Sequence, residues 1–143
     1  MSSGAYRVRF KEGIPTRTEE LHRIREIVER EAAAFGFDRE TSFRLALAVD
    51  EACTNVIRHS YGNNPAQSFD LEIATDDDRF IIVITDHGKS FDPAILPAID
   101  MKRYLEQFKR GGLGVHLMRL VMDDVKYAAR GSANQLKMVK LKE

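Results

Sequence analysis

Three short stretches carry residues able to do chemistry together. In the first, Glu51, Asn55 and His59 follow i, i+4, i+8 spacing, so on an α-helix they stack along one line. Winding residues 43–61 as a helix puts Phe43, Leu45, Ala46, Leu47, Val49, Ala52, Cys53, Val56 and Ile57 on a broad apolar arc. A narrow polar stripe is left, with Arg44, Glu51, Asn55, Arg58 and His59. Such a stripe is either the solvated edge of the helix or the wall of a cleft. In a cleft, the Glu51 carboxylate is a base and the Asn55 amide oxygen is a ligand for a hard cation. Asp50 falls inside the apolar arc and must find a donor or face a gap in the packing.

In the second stretch, Ile81-Ile82-Val83-Ile84-Thr85 is an apolar run that ends in Asp86, with Gly88 two residues on. This is either a plain turn or a place where a carboxylate accepts from a base amino group while glycine lets the backbone approach a flat ring. Gly88-Lys89-Ser90 is not the end of a phosphate-binding P-loop: the earlier glycine of that motif falls on Val83, and Pro93 comes too soon for its helix. The third stretch, Gly111-Gly112-Leu113-Gly114, precedes a helical pattern. Free backbone N–H groups and the helix dipole favour an anion there; the alternative is a hinge or a packing turn. Asp76-Asp77-Asp78 reads as a hairpin turn and not as a metal site, since it has neither His, Cys nor calcium-loop spacing. Cys53, in its apolar helical setting, reads as a buried thiol.

These stretches need elements to hold them. Residues 6–10 alternate as a first strand. Pro15 opens a charged helix to about Phe35, capped by Thr16 or Thr18 and ended by Gly36. A second helix runs from its N-cap at Asp38 to Ser60, followed by the turn-rich Tyr61-Gly62-Asn63-Asn64-Pro65. Strands over 69–75 and 80–85 form a hairpin, 92–110 is irregular, and a helix over 115–122 leads to closing strands over 125–130 and 135–141. The order β-α-α-β-β-loop-α-β-β fits an α+β fold, a two-layer α/β sandwich with helices on one face of a mostly antiparallel mixed sheet.

Composition narrows the functions. The chain of 143 residues balances 22 Lys and Arg against 22 Asp and Glu. That length fits a single domain over 1–143, large enough for a core without disulfides. Zero net charge argues against nucleic acid as a partner and against a polybasic membrane anchor. One cysteine makes no internal disulfide, no apolar run is long enough for a membrane span, and the first residues lack the apolar region of a secretory signal. The expected location is cytoplasmic.

Taken in order, Asp50-Glu51-x-x-x-Asn55-x-x-x-His59, Asp86-x-Gly88 and Gly112-Leu113-Gly114 resemble the N, G1 and G2 boxes of the GHKL (Bergerat) ATPase superfamily. Within it the chain resembles the RsbW-type anti-sigma factor serine-protein kinases, through Asp50-Glu51-Ala52-Cys53-Thr54-Asn55, Gly88-Lys89-Ser90-Phe91-Asp92 and Gly111-Gly112-Leu113-Gly114. The resemblance covers nearly the whole chain and implies a Bergerat fold with ATP and Mg2+ as cofactors. It implies that Glu51 is the general base and Asn55 the magnesium ligand. Asp86 then accepts from the adenine amino group, and Gly88 leaves room for the base. Gly112, Leu113 and Gly114 lie against the phosphates, Lys109 and Arg110 either neutralise phosphate charge or are merely an exposed basic pair, and 92–110 is a lid that also carries Lys102 and Arg103.

The resemblance further implies sequestration of a sigma factor in the ATP state. It implies phosphorylation of a serine on a STAS-type anti-anti-sigma antagonist, by a homodimer. The alternative is an ATP-binding partner-switching module without kinase activity. Partner contacts fall to the first strand and the charged first helix, with Arg17, Glu19, Glu20, Arg23, Arg25, Glu26, Glu29 and Arg30, unless those charges are merely solvated. A sensor histidine kinase fragment is set aside, because His22 has neither a paired helix nor a following proline. Two departures from relatives stand out. Ser90 occupies a second-glycine position, as it does in RsbW-like members. The last strand starts Ala133-Asn134-Gln135 where Gly-Thr is frequent, at a water-mediated adenine contact.

Overall fold

A computed structural model describes residues 6–62, 64–88, 121–130 and 132–142. The side chains of His59, Ser60 and Arg130 fall outside the description. Strand β1 spans Arg7–Pro15, helix α1 Glu20–Phe35 and helix α2 Arg39–Asn55, which runs on into a π-helical turn over Val56–Ser60. Strands β2 (Ser68–Thr75), β3 (Arg79–Asp86), β4 (Asp124–Arg130) and β5 (Ala133–Leu141) complete the described elements. The sheet order is β1-β2-β3-β5-β4, and all four pairings are antiparallel. This is the expected α+β architecture.

Alternation decides which side chains face the helices. Phe69, Leu71 and Ile73 of β2, Phe80, Ile82 and Ile84 of β3 and Met138 of β5 are buried in one cluster with Ile24, Ile27, Val28 and Ala32 of α1. Leu45, Ala46, Val49, Ala52 and Cys53 of α2 join the same cluster. Burying a side chain of the size of Phe80 or Ile82 stabilises the fold by about 1.5–3 kcal/mol, so this interface fixes where α2 lies. Phe35, Phe37 and Phe80 stack with ring centroids 5.0–5.8 Å apart, closing the core at the C-terminal end of α1.

Helix boundaries follow local chemistry. Asp38 caps α2 as expected, accepting from the Thr41 N–H at 2.8 Å. That bond, first among its causes, holds the Asp38 carboxyl below its ordinary value. Gly36 ends α1 with φ 117°, a left-handed conformation suited to glycine.

Two expectations at the start of the chain are corrected. Pro15 does not open α1 but closes β1, pairing with Ser68; β1 is an edge strand, where a residue without an N–H costs no ladder bond. Neither Thr16 nor Thr18 caps α1, whose N-cap is Glu19 without a side-chain bond. Thr16 is instead buried at the start of β2, where its N–H donates to the Gln67 carbonyl and its hydroxyl accepts from the Gln67 N–H at 3.2 Å.

The acidic run forms the β2–β3 hairpin as expected. Asp76 Oδ1 accepts from the Asp78 and Arg79 N–H groups at 2.9 and 2.7 Å, while Oδ2 pairs with the Arg79 guanidinium. Desolvation works against the Asp76 charge, but these bonds together hold its carboxyl below the ordinary value. Of the helix expected over 115–122, only Val121 and Met122 lie within the described residues, and both are buried against the core.

Candidate functional site

Helix α2 brings Glu51 and Asn55 onto one face, both half-buried, one turn apart. Their neighbours anchor the helix there. Ala52 and Cys53 are buried, and Asp50 Oδ1 pairs with the Arg25 Nη1 of α1 at 3.2 Å. The donor that Asp50 needs therefore comes from the other helix. Burial, with the nearby Asp50 charge second, pushes the Cys53 thiol far up, which fits a packing role and not a nucleophilic one.

Directly after Asn55 the helix widens. The Tyr61 N–H donates to the Val56 carbonyl at 3.1 Å, the five-residue step of a π turn. This winding was not legible as a departure in residues 43–61, whose apolar pattern continues unbroken. The widened end points Tyr61 back at the sheet. Its hydroxyl donates to the Ser68 carbonyl at 2.9 Å and accepts from the His87 N–H at 2.8 Å. Burial pushes the Tyr61 phenol up; the His87 bond opposes this, and the Asp86 and Asp70 charges add to it. One side chain thus ties the end of α2, the start of β2 and the turn after β3.

That turn is the second half of the site. Asp86 is the last residue of β3 and only 4% exposed. Its Oδ1 accepts from the Gly88 N–H at 3.0 Å and from Asn134 Nδ2 at 2.9 Å. Asn134 also donates to the Gly88 carbonyl at 3.1 Å. Asn134 is a residue that sequence reading flagged only as a departure. Its partner lies across the β3–β5 pairing, which no local pattern reveals.

The structure therefore places Glu51 and Asn55 on α2, Asp86 at the end of β3 and Gly88 in the turn after it, and Tyr61 joins the end of that helix to that turn. Arg110, Gly112, Leu113 and Gly114 lie outside the described residues, as do Lys109 and the expected lid. Among the described residues no group of three or more His, Cys, Asp or Glu side chains is arranged to hold a metal by itself. A hard oxygen donor, the Asn55 amide, does suit magnesium, which typically takes one or two protein oxygens and fills its sphere with water and phosphate.

The charges of α1 are largely paired within the chain. Arg23 meets Glu20 and Glu12, Arg25 meets Asp50, and His22 meets Glu26. A cleft at the opposite, hairpin end of the sheet is lined by Arg7, Arg9, Glu31, Asp76 and Lys142 among others, with Arg9 and Glu31 paired at 3.1 Å. No helix among the described residues is long and apolar enough to cross a membrane.

Comparison with known proteins gives consistent results. Residues 14–140 match the family model described as histidine kinase-like ATPase domain. A serine-protein kinase RsbW of Halalkalibacterium halodurans is 35% identical over 118 residues, covering 78% of this chain and 70% of the relative. The serine-protein kinase RsbW of Bacillus velezensis is 30% identical over 117 residues, covering 79% and 73%. A solved structure, the SiaB-SiaC complex from Pseudomonas aeruginosa, contains a chain of similar fold with a TM-score of 0.67 at 16% identity, covering 93% of this chain and 89% of that one.

Proposed function

The chain belongs to the histidine kinase-like ATPase domain family, among the relatives of the RsbW serine-protein kinases, and on that premise we propose that it is an ATP-dependent protein kinase and anti-sigma factor. Its cofactors are ATP and Mg2+. Its acceptor is a serine on a STAS-type anti-anti-sigma protein, and its other partner is a sigma factor that it sequesters. It works in the cytoplasm as a homodimer, over a single domain.

The observation that carries this reading is the buried Asp86 at a strand end, with its carboxylate held beside Gly88 and joined through Tyr61 to the helix of Glu51 and Asn55. A carboxylate in that setting suits the amino group of adenine, and the glycine spares room for a flat base. Gly112, Leu113 and Gly114, with Arg110, supply the phosphate end.

Asp86, at the end of β3, and Gly88 would seat the base of the nucleotide, and Asn55 on α2 would serve its phosphate end. Asn55 offers its amide oxygen to magnesium, which when bound neutralises phosphate charge. Glu51 accepts the proton of the serine hydroxyl as its oxygen bonds to the γ-phosphorus. The bond from that phosphorus to the β,γ-bridging oxygen breaks, and ADP leaves with the electron pair. Most of the rate comes from positioning and charge neutralisation, which a rigid two-layer scaffold provides.

The partner assignment is tested by recovering the protein from its own cells with and without ATP. The expected result is a sigma factor retained with ATP and a STAS-type protein in the competing complex. Partners unrelated to both would sink the anti-sigma reading while sparing the nucleotide site.

A further inference from the structure

We propose that Asn134 sets the selectivity of the site for a purine bearing a 6-amino group, by positioning Asp86. The proposal rests on the reading of Asp86 as the acceptor for that amino group, and it assigns a role to a residue at which this chain departs from its relatives.

Pairing of β3 with β5 sets Asp86 directly opposite Asn134, so both side chains emerge on the same face at the end of the sheet. Each is 4% exposed. Asparagine is depleted in strands, and a buried amide is costly unless its protons are used. Both are used: one goes to Asp86 Oδ1 at 2.9 Å and one to the Gly88 carbonyl at 3.1 Å. With the Gly88 N–H also on Oδ1 at 3.0 Å, turning the carboxylate away breaks two hydrogen bonds at once.

The consequence is chemical. A carboxylate able to swing accommodates many donors, including ring N–H groups and water. One held at a single angle, in fixed relation to the backbone at Gly88, favours a donor at one position on the base. Adenine presents an amino group there, guanine a carbonyl. Asn134 itself need not touch the base; it acts through Asp86 and is a positioning residue. An aspartate of the same shape supplies no donors, and a threonine supplies one.

The test is equilibrium titration with ATP and with purine riboside triphosphate, which lacks only the 6-amino group. Wild type is compared with Asn134→Val and Asn134→Thr, two variants of equal shape and good strand propensity that differ in a hydroxyl. If the Val variant does not fold, Asn134→Ala replaces it, since a smaller side chain lets water reach Asp86. Wild type is expected to favour ATP. In the Val variant the preference falls about tenfold, chiefly through ATP, and the Thr variant recovers most of it. A Val or Ala variant that keeps the wild-type preference overturns the proposal and leaves the Asp86 reading standing. An equal loss for both nucleotides makes Asn134 merely structural and also overturns it. A wild-type protein that does not distinguish the two nucleotides overturns the Asp86 reading, and this proposal with it.

Discussion

Glu51→Ala slows phosphoryl transfer to the acceptor serine by about 10²–10⁴-fold, the usual contribution of a general base, while ATP affinity stays within about threefold. The asymmetry follows from placement. Glu51 is half-buried on α2, one turn before Asn55, whereas the base of the nucleotide is assigned to Asp86 at the end of β3. Alanine is the best helix former, and the flanking anchors, Ala52 and Cys53 in the core and Asp50 on Arg25, are untouched. The helix therefore persists without its carboxylate. Single-turnover transfer with γ-labelled ATP, beside calorimetric titration of ATP, reads the two effects apart. Transfer at the normal rate would show that Glu51 is not the base.

Asp86→Asn raises the dissociation constant for ATP by about 10–100-fold and erodes the preference for ATP over GTP. In the native site two donors, the Gly88 N–H and Asn134 Nδ2, converge on one carboxylate oxygen. An asparagine that keeps its carbonyl oxygen there turns its amino group toward the adenine amino group, donor against donor. The flipped amide relieves that clash but sets its own N–H groups against Gly88 and Asn134. Either arrangement leaves a buried polar group unpaired, so the change costs more than the loss of one bond. Unchanged affinities for both nucleotides would contradict the adenine role.

Local chemistry made part of this site legible in the sequence. The Gly36 stop of α1, the Asp38 cap of α2 and the spacing of Glu51 and Asn55 along α2 are each properties of neighbouring residues, and the end of α1 and the start of α2 lie where they put them. Asp86 at the end of an apolar run was visible for the same reason. Pro15 misled because its backbone angle serves the first turn of a helix and the end of an edge strand equally; the deciding fact, its pairing with Ser68, lies far along the chain. The partners of Asp50 and Asp86 were illegible for a related reason. Arg25 reaches Asp50 only once α1 packs on α2, and Asn134 reaches Asp86 only once β5 pairs with β3. The π turn after Asn55 shifts backbone bonds without changing the apolar pattern, so periodicity does not register it.

What spacing cannot convey is how the halves of the site are joined. Tyr61 does this with one hydroxyl, bonded to Ser68 of β2 and to His87 in the turn after β3. In the sequence Tyr61 is only the first residue of a turn. Its reach depends on the widened helix end that precedes it and on the antiparallel pairing of β2 with β3.

The central claim is that this site moves a phosphoryl group onto a protein serine. Its most direct test is the intact mass of the STAS-type partner after incubation with the chain, ATP and magnesium. The expected result is a gain of one phosphoryl group on a single serine, matched by ADP formed. A partner that binds in an ATP-dependent way yet keeps its original mass would contradict it, and would make the chain an ATP-binding switch without kinase activity.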